Sequence, residues 1–356
     1  MRFADFFLFP LALIYDGITG LRNRMFDAGL KKSQAFDIPT VVVGNLAVGG
    51  TGKTPFVEFL IKRLSPIFGL AVLSRGYGRK TKGFLMAKAG SSPKELGDEP
   101  FQIYSKFGDK VTVAVGEERI LAIPMILAEK EGVEAILLDD AYQHRYLFAD
   151  LNILLTTYKR PFFKDFVLPA GRLREGRHNA NRADIIVVTK CPDDMDAKEK
   201  KIFREEISVY ISGEKPIYFA GLKYGQLYPL NPKFATPGNT FILVTGIVDP
   251  DSIRMELEAR QKVVLETLAF PDHHFYSSKD MESISDMYHK YAHKNVVILT
   301  TEKDAVKLKD IKLLEMLKNI PVFVLPVEII MEPNDEEQLL SSLKSMINNK
   351  NAGGEI

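Results

Sequence analysis

The chain has 356 residues, 46% of them hydrophobic and 26% charged, and a formal net charge of +1. That length suits two lobes rather than one core, and that balance belongs to a soluble globular protein. The small net charge excludes a global field for nucleic acid, and a single cysteine, Cys191, excludes an intrachain disulfide and fits a reducing compartment.

The first segment, residues 1–37, opens on the apolar run FFLFPLALIY (6–15), which is too short to cross a bilayer as a helix. Pro10 interrupts it, and no small-residue cleavage site follows, so it does not read as a removed signal peptide. Leu11, Ile14, Tyr15, Ile18, Leu21 and Met25 fall on one helical face, and Arg22, Arg24, Lys31 and Lys32 come just after. Two readings stand: an amphipathic helix lying in a membrane interface, or a first helix packed on the core.

From residue 39, β-branched runs alternate with helical stretches. TVVVG (40–44), LAVLS (70–74), VTVAV (111–115), AILLDD (135–140), LNILL (151–155) and DIIVVT (184–189) read as buried strands, with helices over 53–65 and 117–131. Such a pattern predicts an α/β fold whose parallel sheet is covered on both faces. TFILVTG (240–246), NVVILTT (295–301) and PVFVLP (321–326) form a second series beyond a linker at 224–239. The expected organisation is a phosphate-loop domain over 38–230, a smaller α/β lobe over 231–348 and a disordered tail over 349–356.

Between the first strand and the helix from Lys53 lies AVGGTGKT (47–54), a strand–loop–helix setting for a phosphate cradle. The usual pattern has glycine where Ala47 stands. Gly49, Gly50, Thr51 and Gly52 can turn backbone N–H groups inward on an anion. Lys53 can reach the β- and γ-phosphates, and the Thr54 hydroxyl can ligate Mg²⁺. Asp139 and Asp140 end a neighbouring strand, where carboxylates can hold Mg²⁺; alternation of side chains leaves only one of them in direct contact. The bland reading is a strand followed by an acidic turn.

Basic residues gather in SRGYGRKTKG (74–83), with Arg75 and Arg79, and in AGRLREGRHNANR (170–182), with Arg172 and Arg174. Guanidinium groups bind phosphate bidentately, although most such loop residues are simply solvated. His289 and His293 are four apart but lack the glutamate of a metalloprotease motif. TKCPD (189–193) resembles the T/N-K-x-D element that reads guanine in GTPases, but is one residue too long.

At this point GNLAVGGTGKTPF (44–56), SRGYGRK (74–80), GDEP (97–100), DDAYQHR (139–145), LPAGRLRE (168–175), FPDHHFY (270–276) and TEKDAVKL (301–308) can be read together. In that order they resemble the tetraacyldisaccharide 4'-kinases of lipid A biosynthesis, whose phosphate loop also lacks glycine at the Ala47 position. Ala141–Tyr142 departs from the family's glycine and phenylalanine. The resemblance implies transfer of the γ-phosphate of ATP to the 4'-hydroxyl of a tetraacylated glucosamine disaccharide 1-phosphate. It implies a Mg²⁺ requirement, two lobes with the site between them, and attachment to the cytoplasmic face of the inner membrane. It makes Asp98 the candidate base, supported by His273, where the residues alone read as a helix N-cap and a turn histidine. Tyr77, Arg79, Gln143, Arg172 and Arg174 become candidate substrate contacts. The alternative is a GTPase-like nucleotide-dependent switch or metallochaperone on the same core, for which a second lobe with an acid–histidine pair has no use.

Overall fold

The computed structural model describes residues 3–353 apart from 235 and 248. Fourteen strands follow one another among the described residues. They are β1 (Thr40–Asn45), β2 (Leu70–Ser74), β3 (Leu85–Met86), β4 (Val111–Val115), β5 (Ala135–Asp139), β6 (Leu151–Thr157) and β7 (Ile185–Cys191). The remainder are β8 (Ile217–Tyr224), β9 (Tyr228–Pro229), β10 (Thr240–Thr245), β11 (Val263–Ala269), β12 (Val296–Thr301), β13 (Val322–Leu325) and β14 (Val327–Met331). The helices are α1 (Phe3–Asp27), α2 (Lys53–Leu64), α3 (Pro93–Leu96), α4 (Asp98–Phe107), α5 (Arg119–Glu129), α6 (Ala197–Ser208), α7 (Pro250–Ala259), α8 (Ser278–Tyr291), α9 (Glu302–Leu308), α10 (Ile311–Met316) and α11 (Pro333–Gly353).

The strands make two sheets, ordered β14-β8-β7-β6-β1-β5-β2-β4-β3 and β11-β10-β12-β13-β9. Among the described strands only β14, β3 and β9, each at a sheet edge, pair antiparallel. Both faces of the larger sheet are covered. Val41 and Val43 pack with Phe56, Leu60, Ile103 and Leu343 on one side, while Val42 packs with Ile123, Ile126 and Ile207 on the other. A strand alternates its side chains between faces, so covering both demands the unbroken apolar runs seen in the sequence. Each fully buried Phe, Leu or Ile contributes about 1.5–3 kcal/mol relative to exposure.

The chain returns to the first lobe at its end, which the expected boundaries missed. Strand β14 pairs with β8 in the larger sheet, and Leu339, Leu343 and Ile347 of α11 enter its core. The second lobe therefore closes at β13, not at residue 348. Helix α11 runs through residues 349–353 of the expected disordered tail, held by the Lys350–Asp150 ion pair and by Asn351 Nδ2 donating to the Glu134 carbonyl at 3.3 Å. Residues 354–356 lie outside the described residues. Part of the expected linker, β9, is itself a strand of the second sheet.

Helix α1 does not pack most of its apolar stripe on the core. Leu11, Ile14, Ile18 and Leu21 are 54%, 61%, 65% and 63% exposed, so this face covers no core. Ala12, Asn23 and Phe26 face inward instead. Tyr15 departs from the stripe: its hydroxyl donates to the Arg174 carbonyl at 3.0 Å. Asn23 Nδ2 donates to Glu175 at 2.6 Å and to Asn179 at 2.8 Å. None of the described helices is long and apolar enough to cross a membrane.

Candidate functional site

The phosphate loop joins β1 to α2. Within it the left-handed region is confined to Gly49 (φ 101°) and Gly52 (φ 82°), where a Cβ would be strained. Ala47 makes an antiparallel bridge with Leu173, Val48 N donates to the Arg172 carbonyl at 2.8 Å, and Arg174 N donates to the Leu46 carbonyl at 2.6 Å. The loop entry is thus pinned by a single β-bridge, with Ala47 outside the left-handed region, so alanine serves there as well as glycine. Buried Asn45 shapes the rest, donating to the Ala47 carbonyl at 2.6 Å and to Thr51 Oγ1 at 2.8 Å. Thr189 Oγ1 donates to the Thr51 carbonyl at 2.7 Å. Lys53 begins α2 and holds its ammonium 3.3 Å from Asn45 Oδ1 and 3.4 Å from Asp140 Oδ1.

Asp139 and Asp140 follow at the end of β5, in different surroundings. Asp139 is buried, receives only a long contact from Ser74 Oγ at 3.4 Å, and leaves Oδ1 without a partner among the described residues. Burial first, then the charges of Glu99 and Asp140, push its pKa up to about 7 against the pull of Lys53 and Arg119. Asp140 adopts φ 50° and is gripped by Arg174 Nη1 at 2.9 Å. Burial works to raise its pKa, but Lys53 and Arg174 outweigh it and hold the carboxyl below its ordinary value.

Asp98 comes from the first lobe and its partners from the second. The residues alone read Asp98 as a helix N-cap; the structure makes Gly97 the N-cap, at φ 89°, and puts Asp98 in the first turn of α4. Its carboxylate is buried. Oδ2 lies 3.3 Å from His273 Nδ1 and 3.5 Å from Lys307 Nζ, while Oδ1 has no partner among the described residues. Lys307 is equally buried and also faces Asp304 Oδ1 at 3.2 Å. Asp304 is fixed in turn by Thr245 Oγ1 at 2.9 Å, Gly246 N at 3.0 Å and Thr301 Oγ1 at 2.8 Å. Beside them Lys303 pairs with Asp272 at 2.8 Å and approaches Glu99 at 3.7 Å. Burial works against the Lys303 charge, but Glu99 and Asp272 outweigh it and raise its pKa.

The candidate substrate contacts divide into free and engaged groups. Tyr77 is exposed, with its ring edge-on to His273 at 5.0 Å between centroids. Arg172 Nη1 lies 3.9 Å from where a Cβ on Gly49 would stand, over the phosphate loop. Arg79 instead donates to Glu117 at 2.6 Å and to the Gly83 carbonyl. Gln143 Nε2 donates to the Asn45 carbonyl and to Glu175 Oε1, both at 2.9 Å, and Arg174 holds Asp140. The Ala141–Tyr142 departure is accommodated, since the buried Tyr142 hydroxyl donates to the Asn179 carbonyl at 2.8 Å.

Sequence reasoning missed Glu99, Lys303 and Lys307. All three stand inside quoted motifs, and the four-residue spacing of the two lysines put them on one face of α9. Lysine ordinarily reads as surface, however, and nothing local announces burial.

Comparison with known proteins follows the same lines. The family model described as "Tetraacyldisaccharide-1-P 4'-kinase" matches residues 4–347. A tetraacyldisaccharide 4'-kinase of Bacteroides fragilis is 40% identical over 360 aligned residues, covering 98% of this chain and 95% of its own. One from Flavobacterium johnsoniae is 44% identical over 319 residues, covering 88% and 91%. The crystal structure of LpxK from Aquifex aeolicus in complex with ATP is 30% identical and covers 97% of this chain and 99% of its own, with a TM-score of 0.71. The chain belongs to the tetraacyldisaccharide-1-P 4'-kinase family.

Proposed function

We propose that this protein transfers the γ-phosphate of ATP to the 4'-hydroxyl of a tetraacylated glucosamine disaccharide 1-phosphate, working peripherally on the cytoplasmic face of the inner membrane. The observation that carries the mechanism is the Asp98 carboxylate. One oxygen is held by His273 and Lys307, and the other is buried with no partner among the described residues. A buried acceptor left open is a place for a hydroxyl proton.

Asp98 accepts the proton of the attacking 4'-hydroxyl while His273 and Lys307 fix its orientation. Phosphoryl transfer depends mainly on positioning and charge, so the remaining residues serve the phosphates. Backbone N–H groups from Gly49 to Lys53 cradle the β-phosphate at the N-terminus of α2. The Lys53 ammonium follows the γ-phosphate, and Arg172 neutralises charge from above the loop. Tyr77, beside His273, lines the approach of the sugar. The donor set of Thr54, Asp139 and Asp140 fits Mg²⁺: an unpartnered oxygen on a carboxyl crowded by other acids is a site that a divalent cation relieves. Asp139 is the better direct ligand, since Lys53 and Arg174 already hold Asp140. Bound there, Mg²⁺ supplies neutralisation of the β- and γ-phosphate oxygens.

A substrate with four acyl chains resides in a bilayer, and the exposed face of α1 gives the protein a way onto that surface. Arg22 Nη2 donates to the Gln143 carbonyl at 3.1 Å, so the helix is docked against the same loops that shape the site. The test is transfer of label from γ-labelled ATP to acceptor lipid. Wild-type protein labels the lipid; Asp98→Asn binds ATP but does not. Equal labelling by Asp98→Asn would remove Asp98 as the base.

A further inference from the structure

The site as built leaves the nucleoside end of ATP without partners, yet the topology sets its direction. In a parallel sheet, ligands lie across the carboxyl ends of the strands. The γ-phosphate must face Asp98, and Gly97 before it lies against Gly76 and the Tyr77 carbonyl just beyond β2, the strand beside β5. The acceptor therefore occupies the β5 side of the phosphate loop. In the order β7-β6-β1-β5, the nucleoside is left the other side, toward β6 and β7.

At the end of β7 the chain does something unusual. Its register against β8 shifts between Val188 and Cys191, and Lys190 takes φ 57°. Non-glycine residues rarely adopt that conformation, and such positions cluster at functional sites. Thr189 ties this strand end to the phosphate loop through the Thr51 carbonyl. The Lys190 ammonium then lies 3.8 Å from where a Cβ on Gly50 would stand. None of the hydrogen bonds or ion pairs among the described residues uses that ammonium, although burial disfavours its charge and lowers its pKa.

We propose that Lys190 binds the nucleoside end of ATP, its ammonium reaching the ribose and its methylene stem covering one face of the base. This deepens the phosphoryl-transfer reading and rests on it. In TKCPD the next carboxylates, Asp193 and Asp194, follow Pro192 and are exposed, so this stretch holds no buried carboxylate to read the base's edge. The contact therefore does not distinguish adenine from guanine.

The experiment is calorimetric titration of the full chain with ADP, GDP and inorganic tripolyphosphate. Lys190→Ala weakens ADP and GDP by about tenfold, the size of one charge-assisted hydrogen bond, and leaves tripolyphosphate within about twofold. Lys190→Met, which keeps the stem, falls between. Unchanged ADP affinity, or an equal loss for tripolyphosphate, overturns the assignment. Lys53→Ala is the control and weakens all three ligands. If Lys53→Ala binds all three normally, the phosphate-loop reading fails instead.

Discussion

Replacing Leu11, Ile14 and Ile18 of α1 with serine separates a membrane-facing helix from a merely structural one. These side chains are 54%, 61% and 65% exposed. Full burial of such a side chain is worth about 1.5–3 kcal/mol, so insertion of the exposed share gains roughly 1–2 kcal/mol each. Three together give about 3–6 kcal/mol, or roughly two to four orders of magnitude in partitioning. The inward groups, Tyr15, Asn23 and Phe26, are untouched, so melting temperature stays within about 2 °C of wild type. Flotation with anionic vesicles checks the first point and calorimetry the second. The triple variant leaves the vesicles, loses activity on bilayer substrate, and keeps most activity on substrate dispersed in detergent. Salt weakens wild-type attachment only partly, because the apolar contribution is not screened. A variant that melts much earlier, or stays vesicle-bound with full activity, makes α1 a structural helix and not a membrane contact.

Lys53→Ala abolishes phosphoryl transfer with an unchanged circular dichroism spectrum; a folded variant with near-normal kcat contradicts its role at the phosphates. Asp98→Asn lowers kcat by about 10²–10⁴, and Asp98→Asn with His273→Ala loses less than the sum of the two, whereas simple additivity in steady-state rates separates the pair. Lys307→Met lowers kcat while the ATP KM stays put, and Lys307→Arg restores part of it; a rise in ATP KM instead assigns Lys307 to the nucleotide. Asp139 binds its proton more tightly folded, at a pKa of about 7, than unfolded, at 3.8. Its contribution to stability is therefore full below the unfolded value and is lost as pH rises toward about 7. Thermal melts in chelator at pH 5 to 8 show this slope flattened in Asp139→Asn, and an unaltered slope places its origin elsewhere.

Local patterns were legible and long-range ones were not. The phosphate loop shows in sequence because glycines must stand where the backbone turns left-handed, at Gly49 and Gly52. The strands show because a sheet covered on both faces needs unbroken apolar runs. Helix α11 carries its apolar residues at clear helical spacing, but periodicity does not say which sheet receives them, so its return to the first lobe was invisible. The Asp98–His273 contact joins residues 175 apart in the chain, and only resemblance to a family proposed it. Lys307 was hidden because its burial depends on Asp98 meeting it from the other lobe, while Asp304, three residues before it, reads only as a local helical pair. The exposure of the α1 stripe could not be read either, since membrane-facing and core-facing helices share one pattern.

The most direct measurement is the position of the phosphate on the product. Wild-type protein is incubated with ATP, Mg²⁺ and tetraacylated glucosamine disaccharide 1-phosphate in vesicles, and the lipid is examined by mass spectrometry and phosphorus NMR. The expected product carries one new phosphomonoester at the 4'-oxygen, with one ADP released per lipid modified and no such product from Asp98→Asn. ADP and inorganic phosphate formed without modified lipid, or a phosphate on another hydroxyl, contradicts the proposed transfer.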